Sequence, residues 1–211
     1  MVKDDHSRRM AGKKRFDEEA VLNALVQTFW ARGYEATSIE DLERATGLRR
    51  QSLYGAFGPK EAMYARAMDQ YFQTSGGPIR AAIERDDPRE GIRGFVDAHL
   101  ARMADPSCPG GCFHAAACVE HAPGSVLGER TAADLRAAEA WLTTLLERWR
   151  AEGKLRPDRD TRPLARYLIA FVRGLAVMHR ATGDVEAARE AADAGLGALE
   201  PWLPSSHRLG S

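Results

Sequence analysis

The sequence predicts an all-α protein. Apolar residues recur at helical spacing along most of the chain, sustained period-2 alternation is absent, and Gly and Pro cluster between the periodic stretches. Composition allows a globular core: 44% of residues are hydrophobic and 28% charged. Thirty Lys and Arg balance thirty Asp and Glu among 211 residues, which excludes a uniformly basic nucleic-acid coat but not a local basic surface. No apolar run approaches the roughly 18–20 residues that span a bilayer, and the amino-terminal MVKDDHSRRM is no hydrophobic signal, so no membrane partner is expected. Three cysteines make no disulfide framework and point to a reducing cytosol.

Residues 1–15 carry six cations against two anions and read as a flexible basic arm. The first helix opens at Asp17, a natural cap, with Phe16 placed to staple against the first apolar turn. Val21, Leu22, Leu25, Val26 and Phe29 form its buried stripe, and Gly33 stops it. Ser38 and Asp41 make a capping-box pair for a second short helix bearing Ile39, Leu42 and Ala45, and Gly47 interrupts it. A third short helix runs from about Arg49 to Ala56 before Gly58-Pro59. Helix, tight glycine turn and helix thus fall within about twenty residues. Beyond Lys60 the pattern stays helical, punctuated at Gly76-Gly77-Pro78, Asp87-Pro88, Asp105-Pro106, Pro109-Gly110-Gly111, Pro123-Gly124, Gly153, Gly183 and Pro201. The longest amphipathic segments lie near 125–152, 160–182 and 184–200.

The stretch SIEDLERATGLRRQSLYGAF at 38–57 carries the chemistry. Its apolar residues lock two short helices together, and the second presents Arg49, Arg50 and Gln51 from its first turn. Arg pairs with guanine O6 and N7, and Gln with adenine N6 and N7. Ser52 and Tyr54 add neutral donors for phosphate oxygens, and Lys60 adds a cation at a helix start whose N–H groups already favour an anion. A solvated charged face is the plainer reading of an isolated RRQ triplet; this surrounding spacing favours major-groove recognition.

From about Phe16 to Tyr71 the chain resembles the DNA-binding domain of TetR-family transcriptional regulators. The matching residues are the first-helix stripe, Gly33-Tyr34, Thr37-Ser38-Ile39, Ala45-Thr46-Gly47-Leu48, Ser52-Leu53-Tyr54, Phe57 and Lys60-Glu61-Ala62. The resemblance implies a three-helix helix-turn-helix domain over 16–73 and a larger helical effector-binding and dimerisation domain over 78–203. It makes Ser38 to Ala45 the positioning helix and Arg49 to Ala56 the recognition helix, with Thr37, Tyr54 and Lys60 at phosphate-contacting positions. Gly55-Ala56 depart from the larger residues common there, which throws more of the readout onto Arg49, Arg50 and Gln51. The implied partners are double-stranded operator DNA, a second copy of the chain through the last two long helices, and a small-molecule effector; no cofactor is implied. A bacterial cytoplasm, with nucleoid association when bound to DNA, follows from the same resemblance. Effector contacts are expected among Phe95, His99, Met103, Phe113, His114, Trp141, Tyr167, Phe171 and Met178, all on apolar helix faces where plain core packing is the alternative.

The segment Cys108-Pro-Gly-Gly-Cys112-Phe-His114-Ala-Ala-Ala-Cys118-Val-Glu120-His121 supports three readings. Were a helix to begin at Gly110-Gly111, His114, Cys118 and His121 would share one face within reach of a soft or borderline metal ion. Cys112 near a helix start would be a reactive thiol, and Cys108 in the preceding loop would be either a fourth metal ligand or the reversible disulfide partner of Cys112. Small buried hydrophobes with hydrogen-bonded histidines are the third. An all-α enzyme using this segment has no further support, since no His-Glu-x-x-His, phosphate-cradling glycine loop or nucleophile elbow is present. An architectural DNA binder without an effector is the remaining class.

Overall fold

In the computed structural model, which describes residues 16–203, the chain is all-helical. The arm of residues 1–15 lies outside that range. The helices are α1 (Glu18–Arg32), α2 (Ile39–Thr46), α3 (Arg50–Phe57), α4 (Lys60–Ile83), α5 (Pro88–Ala104), α6 (Phe113–Glu120), α7 (Val126–Ala151), α8 (Thr161–Thr182) and α9 (Val185–Leu196), followed by a 3-10 turn (Gly197–Trp202). The starts are chemically explicit. Side chains of Asp17, Asp87, Ser125, Asp160 and Asp184 accept first-turn N–H groups, and Pro88 follows its cap as the first helical residue.

Two apolar cores result. Val21, Leu25, Phe29 and Trp30 of α1 meet Leu42, Leu53, Phe57, Met63, Tyr64 and Tyr71 in the amino-terminal core. Phe16 packs against this core, and its ring lies 6.0 Å from Phe57 on α3, which also ties the chain start to the third helix. The second core joins α5, α7, α8 and α9 around Leu100, Leu142, Leu146, Trp149, Leu164 and Leu168. Helix α6 belongs to both halves: it lies in the carboxy-terminal part of the sequence, yet Phe113 and Ala117 fill the amino-terminal core.

One expected break is absent. Gly76-Gly77-Pro78 lies inside α4, which runs unbroken for 24 residues and carries the first core into the second. Pro78 removes one helical N–H, a local cost of about 3 kcal/mol, but packing overrides it. Gly91 and Gly94 let α5 lie against the end of α4; a Cβ on either would stand 2.5 Å from the carbonyl of Ile83 or Ala82. Ser75, Ile79 and Ile83 continue the inward-facing row past the proline.

Candidate nucleic-acid interface and effector cavity

Helix α2 is fixed by a complete capping box. The Asp41 N–H donates to Ser38 Oγ at 3.1 Å, and the Ser38 N–H donates to Asp41 Oδ2 at 3.0 Å. Those hydrogen bonds hold the Asp41 carboxyl below its ordinary range, with Arg32 and Arg44 adding to the effect. Gly47 closes the helix in the left-handed region at φ 70°, a conformation that any side chain would strain.

Helix α3 follows with Arg49 as an extended N-cap that makes no side-chain cap bond. Glu43 of α2 supplies the missing acceptor, taking the Arg50 N–H at 2.7 Å. Leu53 and Phe57 are buried, whereas Arg49, Arg50, Gln51, Ser52 and Tyr54 are exposed. One face of α3 is anchored and the opposite face is open. Arg66 of α4 secures the base: it donates to the Ala56 carbonyl, pairs with Glu18 and lies 4.6 Å over the Phe57 ring.

The expected readers are not equivalent. Arg49 makes no ion pair among the described residues, while the Arg50 guanidinium is held by Glu40 of α2. Lys60 sits in the first turn of α4, its ammonium 4.3 Å over the Tyr34 ring, and the Pro59 cap leaves that turn's N–H groups without a side-chain acceptor. Thr37 departs from expectation. It is buried, and its hydroxyl donates to the Gly33 carbonyl at 2.5 Å, which removes that hydroxyl from phosphate contact.

A cavity of about 250 Å³ lies between α4, α5, α7 and α8, with Cys112 and His114 in its wall. Of the residues proposed for effector contact, Phe95, His99, His114 and Trp141 line it. Met103, Phe113, Tyr167, Phe171 and Met178 do not. Met103 and Phe113 are buried in the two cores. Tyr167 stacks on Phe171, and its hydroxyl donates to the Gly195 carbonyl; Gly195 is small because a Cβ would stand 2.3 Å from the Phe171 ring. Met178 faces outward. Sequence reasoning missed Tyr71, Phe72, Ser75, Arg80, Asp134, Ile169, Val172 and Arg173. The available signal was a polar residue on an otherwise apolar face, as at Ser75 and Arg173.

The metal arrangement is not formed. Helix α6 starts at Phe113 with Cys112 as its cap, and it ends before His121, whose extended backbone sends its ring against Tyr34 and Tyr64. Among the described residues no three His, Cys, Asp or Glu side chains gather to hold a metal ion. The three thiols are free. Cys112 Sγ lies 3.2 Å from the Tyr71 hydroxyl, and Cys118 is exposed beside His114 Nδ1 at 3.5 Å. Partial burial pushes the Cys108 thiol up.

Burial, with the Arg173 charge adding to it, lowers the imidazoles of His99 and His114 to about 4. Both are therefore neutral in the folded protein at pH 7. Below pH 6.5 the unfolded chain takes up protons that the folded chain refuses until about pH 4, so stability declines across that window by up to roughly 3 kcal/mol per histidine. Denaturant titrations from pH 7 to 4 should show this slope, and His114→Leu should remove about half of it.

Helix α6 also links the cavity to the DNA-reading half. The Tyr34 N–H donates to Glu120 Oε2 at 2.9 Å and the Glu35 N–H to Glu120 Oε1 at 2.8 Å. A second clamp comes from α8. Arg180 donates to the carbonyls of Ala31, Pro109 and Gly110, and Trp30 Nε1 donates to Gly110 as well.

Comparison with known proteins agrees with this geometry. Residues 21–67 match bacterial regulatory proteins of the tetR family, and residues 88–194, half of the chain, match the Tetracyclin repressor-like C-terminal domain. The chain belongs to the TetR family. It is a DNA-binding transcriptional regulator with an amino-terminal helix-turn-helix. Relatives of this regulator include the HTH-type transcriptional repressor ComR of Escherichia coli, 28% identical over 82% of this chain and 84% of ComR. The HTH-type regulator YezE of Bacillus subtilis is 28% identical over 90% of this chain and all of YezE. Among solved structures, a cysteine mutant of the TetR-family regulator CifR complexed with 26-base-pair operator DNA superposes with TM-score 0.82, at 27% identity over 88% of this chain and 98% of that one. These relatives are regulators rather than enzymes. Among the described residues no helix is long and apolar enough to cross a membrane.

Proposed function

We propose that this regulator is a homodimeric repressor, acting in a bacterial cytoplasm, that leaves a palindromic operator when a small molecule fills the α4–α8 cavity. The observation that carries this reading is the placement of α6. Its first turn walls the cavity, and its last residue grips the backbone of the turn leading into α2. A ligand that prefers one arrangement of α6 biases the DNA-reading helices, and reciprocity makes DNA weaken that ligand by the same factor. A thiol-reactive effector would meet Cys112 in the same wall, beside the Tyr71 hydroxyl.

Arg49, Gln51 and Arg50 are the proposed base readers, with Ser52, Tyr54, Lys60 and the amide groups near Ser38 as backbone contacts. The repressor reading takes support from the names of ComR and CifR's operator complex. Dimerisation is supported by two unpartnered faces. Ala170, Gly174, Val177 and Met178 make an exposed apolar strip on α8, and the exposed Ala194 of α9 and Ala198 of the following turn keep the neighbouring side thin. A twofold pair would read half-sites about one DNA turn (~34–36 Å) or a multiple apart. Replacing Val177 and Met178 together with Glu should convert a dimer of about twice 23.2 kDa to monomer in sedimentation equilibrium. Operator retention should fall with it while helicity is unchanged. A wild-type protein that sediments as a monomer at micromolar concentration, or a double variant that stays dimeric, would refute this assembly.

A further inference from the structure

The cavity's charges are unevenly satisfied. Asp134, the carboxylate in its wall, spends both oxygens on Arg130 Nε, at 3.1 and 2.9 Å. Two guanidiniums in the wall form no ion pair among the described residues, although the Arg173 charge is close enough to act on the Asp134 carboxylate. Arg80 lies 5.3 Å over the Trp141 ring, and Arg173 donates only to the soft Cys118 sulfur, at 3.5 Å. A guanidinium offers five donors in a planar fork matched to a carboxylate, so most of the Arg173 fork is unused.

A second, independent observation is Ser75. Its residue is 5% exposed, it belongs to the cavity wall, and its hydroxyl has no hydrogen-bond partner. Buried unpartnered hydroxyls are uncommon because each forfeits its hydration. Its Oγ is closed off from the empty cavity, and a rotation about the Cα–Cβ bond would present it to an anion that enters. The remaining wall is flat and apolar: Phe72, Phe95, Trp141 and Ile79. At about 250 Å³ the space holds some eight water volumes, at ~30 Å³ each, the scale of a one- or two-ring molecule.

We propose that the cavity takes a small organic anion, a carboxylate on a flat apolar body, with the carboxylate forked by Arg173 and assisted by the Ser75 hydroxyl. Cations are disfavoured because the one acid in the wall is already occupied and both guanidiniums repel them. Neutral ligands leave the Arg173 fork unfilled. The inference rests on the effector role proposed for this cavity, but it is tested on protein without DNA, so the two stand or fall separately.

The test uses full-length protein and matched probes: benzoate, phenylacetate and 2-naphthoate, each against its amide and its benzylic amine, by isothermal titration up to 5 mM. At least one carboxylate should bind ten times more tightly than its amide, with the amine weakest. Arg173→Gln should remove that tenfold preference and leave amide binding unchanged. Arg173→Lys, which keeps the charge and loses the fork, should fall between and covers a Gln variant that does not fold. Ser75→Ala should weaken the carboxylate about threefold without lowering the melting temperature of the ligand-free protein. No carboxylate binding by 5 mM, equal affinity for acid and amide, or an unchanged Arg173→Gln protein would overturn the proposal. A separate anisotropy measurement on operator DNA then reads the regulatory role: anion binding that leaves DNA bound would sink the effector reading and spare the anion preference.

Discussion

Arg49→Ala should weaken operator binding by about thirtyfold to twenty-thousandfold at physiological salt. A bidentate arginine–guanine contact contributes roughly 1–3 kcal/mol, and a twofold protein loses it twice. The fold should survive, because the Arg49 side chain caps nothing and pairs with no carboxylate among the described residues. Circular dichroism and dimer mass are therefore expected to be those of wild type, and anisotropy against a duplex selected from random DNA reads the loss. Sequence choice should relax as well, since a base reader is gone. Tyr54→Ala, at a position 42% exposed on the same open face, should also abolish retention without touching the core. Lys60→Ala should instead weaken all sequences alike and reduce the salt slope by about one per protomer. Arg50 behaves differently, because Glu40 must first release it. That pair is exposed on both sides and contributes at most ~1 kcal/mol, so Glu40→Gln should raise affinity by up to about fivefold per half-site, about thirtyfold for the twofold protein. Retention unaffected by Arg49→Ala, Tyr54→Ala and Lys60→Ala together would exclude this docking mode.

What was readable in the sequence divides along a physical line. Local chemistry was legible: Asp17, the Ser38–Asp41 box, Gly33, Gly47 and Pro88 mark helix ends through hydrogen bonds made within a few residues. So was the open face of α3, because Leu53 and Phe57 leave only one side free. Contacts between distant segments were not. Gly76-Gly77-Pro78 reads as a break until Gly91 and Gly94 bring α5 against α4, and Thr37 reads as a surface hydroxyl until the Gly33 carbonyl claims it. Aromatic residues on apolar faces divided unpredictably between cavity and core. Trp141 and Phe95 line the cavity, whereas Phe171 is withdrawn by the close approach of Gly195. The histidine face failed for a simpler reason: α6 ends one residue before His121. Arg173 could be flagged as a polar residue on an apolar face, but its role could not be read, because that depends on which carboxylates are spent elsewhere.

Glu120 is the other position where a single change should have a large effect. Its two oxygens accept the N–H groups of Tyr34 and Glu35, 86 and 85 residues away in sequence, in the turn between α1 and α2. The approach is close enough that a Cβ on Gly33, itself at φ 82°, would stand 2.9 Å from Glu120 Oε1. Hydrogen bonds to a charged acceptor contribute about 1.5–3 kcal/mol each. Glu120→Ala should therefore cost roughly 3 kcal/mol or more, a fall in melting temperature of about 6–12 °C for a chain of this size. Glu120→Gln keeps one acceptor oxygen and turns an amide donor toward the other N–H, so it should lose about half as much. The functional consequence separates a strut from a transmitter. If α6 carries the state of the cavity into the α1–α2 turn, Glu120→Gln should still bind operator yet respond poorly to an effector, because the moving helix no longer pulls on the Ser38 cap. A strut would lose stability and DNA affinity together, and effector release would persist undiminished in whatever fraction remains bound. Anisotropy of the Gln variant with and without effector distinguishes them, since coupling is a ratio of affinities and cancels a uniform loss.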